Sequence, residues 1–296
     1  MSLVPASKAV EYLALLRAIE SNRPSQQRLF SDPYAKLFVP PVLKPVEVLS
    51  RLGFMNRFIS WIINKHWTGA LSACSVRTRL VDVMTVNTIQ DEGINQVIIF
   101  GAGYDSRALR LLLRRRIQFV ETDHPEIQRT KRKKLEKADP AAHNASQINY
   151  LSVDLHSQKL EEILPFIFQM EHYKTLFIWE GVTNSLTAPV APIAFEYFQR
   201  FKPGTIIIFT YVDNEVRKHP EKFPGAVNVT RLLRRGNEQW NFGLNPAQLD
   251  GFLASYNMQL LHDLDIDSIR KMYYGEEKAA GMKGYEYYHV AMAVVK

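Results

Sequence analysis

Apolar positions along the chain change their period near residue 95. Before it they recur at helical spacing. After it, short apolar runs alternate with longer amphipathic stretches. Runs at 97–100, 117–122, 148–153, 175–179 and 205–211 read as buried strands. Brief, nearly continuous apolar runs bounded by turn residues suit a sheet covered on both faces. Helical patterns fill the gaps at 106–113, 127–137, 159–169 and 191–201, and Asn245-Pro246 opens another to about residue 255. Runs at 258–264 and 287–295 read as closing strands, the last as an antiparallel edge. Repeated strand–helix units imply an α/β fold with a mostly parallel sheet, helices on both faces and right-handed crossovers.

The first 90 residues read as helical, punctuated by Pro24, Pro33, Pro40, Pro41 and Pro45. Asp32-Pro33-Tyr34 places a capping carboxylate ahead of a proline at a first helical position. A further helix covers 77–89 and stops at Asp91-Glu92-Gly93. Within 54–70, Phe58, Trp61 and Ile62 recur at i, i+3 and i+4, which predicts an amphipathic helix. Asn56, Arg57, Asn64, Lys65 and His66 interrupt that stretch well short of a membrane span. The expected organisation is a helical lid over residues 1–90 on a ligand-binding domain over 91–296, folded as one unit.

Composition narrows this picture. The chain has 296 residues, 46% hydrophobic and 23% charged, which is ordinary for a globular protein and enough for a sizeable core. The net charge is +7, with basic clusters at 114–116 and 129–134. Both fall on predicted surface helices or their ends, where Lys and Arg are solvated, so no nucleic-acid partner is expected. The single cysteine, Cys74, cannot form a disulfide within the chain. A reducing, cytoplasmic setting follows as the expectation, with no membrane partner, and Cys74 reads as a small buried residue. The histidines are scattered, with no Cys/His spacing for a metal.

Candidate chemistry gathers at the first strand. Its apolar run breaks at Gly101-Ala102-Gly103, where the backbone must turn sharply before a helix. The second strand ends in Glu121-Thr122-Asp123. An acid about 20 residues past a glycine turn is how α/β folds hold a ribose. A dinucleotide fingerprint would place glycine or alanine where Ser106 stands, so that pattern is incomplete. S-adenosylmethionine carries no phosphate. Its site needs a glycine turn, an acid for the ribose, a polar group for the adenine and a counter-charge for a carboxylate. Asp123, Asp154 after the third strand and Glu180 after the fourth supply acids at successive strand ends, where α/β sheets open their crevice.

The chain resembles the leucine carboxyl methyltransferase-like family of S-adenosylmethionine-dependent methyltransferases. The matching pieces are Phe30-Ser31-Asp32-Pro33-Tyr34-Ala35, Arg77-Thr78-Arg79, and the run from Gly101 to Leu111. They continue with Glu121-Thr122-Asp123-His124-Pro125 and Lys131, then Asp154-Leu155, then Glu180-Gly181-Val182. The resemblance implies a Rossmann-like class I methyltransferase with a seven-stranded sheet. It implies cofactor contacts from Gly101, Gly103, Asp123, Asp154, Leu155 and Glu180. It also implies an arginine ahead of the first strand for the cofactor carboxylate; Arg77 and Arg79 both compete, and spacing favours Arg77. Ile99 suits this branch, where most methyltransferases carry an acid. Where many members carry a tyrosine near the transfer centre, this chain has Ser185. Asn184, Ser185 and Tyr211 are the candidate acceptor-pocket residues, with Arg28 and Arg231 beside them. The expected activity is O-methylation of a carboxylate or hydroxyl on a small molecule or peptide. A nucleotide-binding protein without transfer chemistry is the alternative.

Overall fold

The computed structural model describes residues 8–140, 148–153, 173–183, 190–235 and 239–296. A seven-stranded sheet runs in the order β3-β2-β1-β4-β5-β7-β6. Its strands are β1 Gln96–Phe100, β2 Gln118–Asp123, β3 Ile148–Ser152, β4 Thr175–Trp179, β5 Ile206–Val212, β6 Met258–Asp265 and β7 Tyr288–Val295. Strands β1 to β5 pair in parallel, while β7 runs antiparallel to both β5 and β6. Each strand lies within a residue or two of the apolar run that predicted it.

The sheet separates two cores. One face packs Val97, Ile99, Leu176, Ile178, Ile206 and Ile208 against Val76, Leu80 and Val81 of a long helix. The other packs Ile98, Phe100, Phe177, Trp179 and Phe209 against Phe195 and Phe198. Alternate residues of a strand face opposite ways, so a strand buried on both sides must be apolar throughout. Strands β1, β4 and β5 are buried at every position.

Helices α1 Lys8–Ser21, α2 Ala35–Phe38, α3 Lys44–Leu49, α4 Gly53–His66 and α5 Ala70–Asp91 precede the sheet. Helix α5 begins a full two turns before the predicted 77–89. It belongs to the main core, whereas α1, α4 and Ala35 share a smaller cluster around Leu15, Ile19, Ile59 and Ile63. Asp32 works as its sequence position suggests: its Oδ1 accepts from Tyr34 N and Ala35 N at 3.1 and 3.0 Å. The helix it opens is a single turn.

The helix predicted at 106–113 shrinks to α6, Arg107–Arg110. Leu111 leaves the helical region and Leu112 is 94% exposed, so the apolar triplet Leu111-Leu112-Leu113 does not extend it. Helix α7, Pro125–Ala138, matches the prediction at 127–137, with the basic cluster 129–134 along it. The last sheet-covering helix of the parallel units, Val190–Phe198, lies within the predicted 191–201 span but for one residue. The predicted helix at 159–169 lies outside the described residues.

Candidate cofactor and methyl-transfer site

The site is built where β1, β2 and β4 end. Strand order reverses between β1 and β4, because the chain runs outward through β2 and β3 and then crosses back. Loops leave such a switch point in opposite directions and open a crevice at the carboxyl edge. Gly101 and Gly103 follow β1 directly, with φ of +59° and +49°. Only glycine adopts that region without strain. A Cβ at Gly101 would collide with the Val182 side chain, and one at Gly103 would sit 3.1 Å from Val10 Cγ1. The turn is therefore held closely between the segment after β4 and helix α1.

Asp123 closes the turn from β2. Its Oδ2 accepts the Gly103 N–H at 2.5 Å, and its Oδ1 accepts the His124 N–H at 2.6 Å. Burial pushes the Asp123 carboxyl up, against the lowering pull of those two amide donors. A carboxylate in that state is stabilised by any further hydroxyl donor that reaches it.

Glu180, one residue past β4, sits between two guanidinium groups. Arg77 Nε donates to its Oε1 at 2.7 Å, and Arg107 Nη1 lies 2.7 Å from its Oε2. Burial works against its ionisation, but Arg107 and then Arg77 outweigh that and hold the carboxyl below its ordinary range. Arg77 also lies over the Tyr288 ring, 5.2 Å from its centroid. Its described hydrogen bond uses Nε alone, which leaves both terminal nitrogens for a ligand among the described residues. Arg79 is exposed to solvent. Residues two apart on a helix face opposite ways, so only Arg77 addresses the crevice.

Behind this pair runs a buried network. Asp82 Oδ1 binds Arg107 Nε at 2.8 Å, and its Oδ2 binds Arg110 Nη1 at 2.6 Å. Asp105 binds Arg107 Nη1 at 2.5 Å, and that pairing overcomes burial to hold its carboxyl at about 2. Arg17 joins α1 to the same region, through Asp32 at 3.0 Å and the Tyr104 carbonyl at 2.5 Å. Arg107 and Arg110 thus both pair with acids. Asp82 was not legible as a site residue. One signal could have found it: a lone acid within Leu80-Val81-Asp82-Val83-Met84 is costly to bury without a cationic partner.

Beneath the turn, Glu121 and Lys131 form a second buried pair at 2.5 Å, each side chain 1% exposed. Among the described residues Glu121 Oε1 has no hydrogen-bond partner. Burial pushes the Glu121 carboxyl up to about 7, against the opposing pull of Lys131. The folded state thus holds this proton more tightly than the unfolded chain does. Its contribution to stability is full below the ordinary carboxyl range and declines as pH rises toward about 7. Replacing Glu121 with Gln should flatten the pH dependence of the urea unfolding midpoint across that window. An unchanged slope would show that another group causes it.

Asp154, Leu155, Asn184 and Ser185 fall outside the described residues. Tyr211 is fully buried in β5; its hydroxyl donates to Asp263 Oδ2 at 2.7 Å and its ring stacks on His289 with centroids 4.8 Å apart. Burial first, then Asp263, raises its phenol far above the ordinary range. Any direct part in a reaction would require that hydrogen bond to break. Arg231 is exposed. Arg28 is half-buried and donates to the Ser21 carbonyl at 3.3 Å. Cys74 is buried and unpaired, and burial raises its thiol. Among the described residues no group of acids, histidines and cysteine could hold a metal ion, and no helix is long and apolar enough to cross a membrane.

A mostly parallel seven-stranded sheet of this order, with an antiparallel β7 between β5 and β6, is the class I methyltransferase fold. Residues 11–191 match the sequence profile described as leucine carboxyl methyltransferase, and the chain belongs to that family. A relative in Bacillus subtilis, YktD, provisionally named an S-adenosyl-L-methionine-dependent methyltransferase, is 23% identical over 207 residues, 69% of this chain and 66% of the relative. A Parafrankia protein with the same provisional description is 30% identical over 183 residues, 60% of this chain and 54% of the relative. The chain thus spans between about half and two thirds of these relatives' lengths. Two solved structures share the fold. A provisionally named methyltransferase from Thermobifida fusca superposes with a TM-score of 0.57 at 15% identity, over 87% of this chain and 95% of its own. A DUF574 family protein from Streptomyces avermitilis gives 0.56 at 12% identity, over 95% and 97%.

Proposed function

We propose that this chain is an S-adenosylmethionine-dependent methyltransferase acting on an oxygen of its acceptor, a carboxylate or hydroxyl of a small molecule or peptide. The observation that carries this reading is one juxtaposition. The Gly103–Asp123 hydrogen bond and the Arg77–Glu180–Arg107 cluster meet at the carboxyl ends of β1, β2 and β4. The donor set fits the cofactor part by part. The glycine turn admits a close approach of backbone to ligand. Asp123 accepts the ribose hydroxyls, which answers its desolvated charge. The terminal nitrogens of Arg77 clasp the methionine carboxylate in two hydrogen bonds. Glu180 orients Arg77 and faces the cationic amino group. Asp154 and Leu155 keep their adenine-side roles by family resemblance.

S-adenosylmethionine supplies a sulfonium methyl whose leaving group is neutral and needs no proton. A carboxylate acceptor is already ionised near neutral pH, so the protein's task is positioning and exclusion of water. That requirement suits a site that shows no nucleophile–base pair among the described residues. Asn184, Ser185 and Tyr211 remain the acceptor-side candidates. A compartment with a low redox potential, the cytoplasm, suits the lone buried Cys74.

Calorimetric titration with S-adenosylmethionine, S-adenosylhomocysteine and NAD tests the cofactor. Both sulfur ligands should bind; NAD binding alone would overturn the reading. Asp123→Ala should weaken S-adenosylhomocysteine binding roughly tenfold or more, since a half-buried charged acceptor is lost. Unchanged affinity would remove Asp123 from the site. Transfer of labelled methyl to a panel of carboxylate and hydroxyl compounds tests the acceptor. An ester product releases its label as methanol in mild base, whereas an ether does not. Tight cofactor binding with no transfer across the panel would instead support a binding-only protein.

A further inference from the structure

The helical segment ahead of α5 carries an apolar surface that nothing in the described protein covers. In α4, Phe54, Phe58 and Trp61 stand at i, i+4 and i+7 and are 71%, 52% and 58% exposed. Their inward-facing counterparts are Asn56, Ile59 and Ile63, buried against α1 and α5. Leu52 and Leu49, at the junction with α3, add 51% and 43% exposure, and Val42 adds 81%. Exposed apolar residues are common singly, but a run of this size on one short segment marks a contact surface.

Charge on the same surface has one sign. From residue 36 to 66 the cations are Lys36, Lys44, Arg51, Arg57 and Lys65. The one acid there, Glu47, is fully buried and neutralised by Lys44 at 2.9 Å and Arg51 at 3.0 Å. The helix Ala226–Arg235 adjoins the end of α4, where Asn228 Nδ2 donates to the His66 carbonyl at 3.3 Å. That helix contains no acid and exposes Arg231 and Arg234. Lys65 Nζ lies over the Trp61 ring, 5.3 Å from its centroid, so its charge sits beside the apolar stripe.

We propose that α3 and α4 form a peripheral docking surface for an anionic lipid bilayer. Phe54, Phe58, Trp61 and Leu52 enter the boundary between headgroups and acyl chains. Arg57, Lys65 and the neighbouring Arg231 and Arg234 meet lipid phosphates. Aromatic side chains with flanking cations are how an interfacial helix lies on a membrane without spanning it. Charge decides against a second copy of this chain as the occupant: α3 and α4 expose cations and no acid, so a two-fold contact of this face with itself would bring like charges together with no acid from these helices to pair them. The expectation of no membrane partner rested on the length needed to span, which this contact does not use. The inference stands apart from the methyltransferase reading, since Phe54, Phe58, Trp61, Arg57 and Lys65 are not among its cofactor or acceptor residues.

The full chain is sedimented with phosphatidylcholine vesicles with and without phosphatidylglycerol, at low and high salt. Binding should require phosphatidylglycerol and weaken with salt. The combined F54S, F58S and W61S variant should lose about tenfold or more of that partitioning while binding S-adenosylhomocysteine as the unaltered chain does. The Arg57→Gln, Lys65→Gln variant should lose the salt-sensitive part. Any of these results would overturn the proposal: no sedimentation with anionic vesicles, undiminished binding of the triple variant, or concentration-dependent dimers that the triple variant abolishes. Binding of an acidic protein through this face without vesicle binding would overturn it equally.

Discussion

Arg77→Met is expected to weaken S-adenosylhomocysteine binding by about a hundredfold, about 2.7 kcal/mol. Two effects combine. The variant removes the proposed clasp on the cofactor carboxylate, a charge-assisted pair of hydrogen bonds in a mostly buried setting. It also frees Glu180 Oε1, which receives Arg77 Nε at 2.7 Å, and so adds an unpaired negative charge next to an incoming carboxylate. The fold should survive, because Glu180 keeps Arg107 at 2.7 Å. Arg79→Met is the matched control: that side chain is exposed, and its loss should leave affinity unchanged. Arg77→Lys should recover part of the affinity, since it restores charge but not the planar fork. Calorimetry on the three variants reads all of this. Equal affinity for Arg77→Met and the unaltered chain would show that the cofactor carboxylate is held elsewhere.

Asp82→Ala should give the largest loss of stability of any single change near the site, about 3–5 kcal/mol. Asp82 is 4% exposed and holds two guanidiniums at once, Arg107 at 2.8 Å and Arg110 at 2.6 Å. Removing it leaves Arg110 with only a distant acid, Asp32 at 3.9 Å, and strips Arg107 of its link to α5. A buried cation without a partner is far costlier than a broken surface pair. The surface pair Arg129–Glu126, at 2.6 Å with 70% and 42% exposure, is the comparison, and Glu126→Gln should cost less than about 1 kcal/mol. Urea unfolding of both variants decides. A loss below about 1 kcal/mol for Asp82→Ala would mean that water or rearrangement satisfies the arginines. Cofactor affinity should fall as well, because Arg107 positions Glu180.

The two predictions differ in how far their residues could be read from the chain. Arg77 was legible: a basic residue on a helix just ahead of a glycine-turn strand, with a family pattern around it. What sequence left open was Arg77 against Arg79; the helix turns Arg77 inward onto Glu180 and Arg79 to solvent. Asp82 was legible only as a cost without a remedy. Its partners lie 25 and 28 residues away, and no local pattern links them. Tyr211 shows the same limit. A tyrosine ending a strand reads equally as a reactive group or as packing, and its partner Asp263 is 52 residues distant on β6. In α4 the period of apolar residues gave the helix but not its orientation. Ile59 and Ile63 on one side and Phe54, Phe58 and Trp61 on the other are both apolar. Packing against α1 and α5 chose the isoleucines as the inner face.

At Gly101-Ala102-Gly103 the sequence by itself determined the strand before the turn, the positive backbone angles within it and the acid that answers it on β2. These depend on local sterics and on the period of apolar side chains, both written within a few residues. Tertiary structure alone decided which arginine meets Glu180, that Asp82 anchors the guanidiniums behind it, and which face of α4 stays in solvent. Each of those is a pairing of distant groups, set by the cost of burying charge and apolar surface once the whole chain has closed around the sheet.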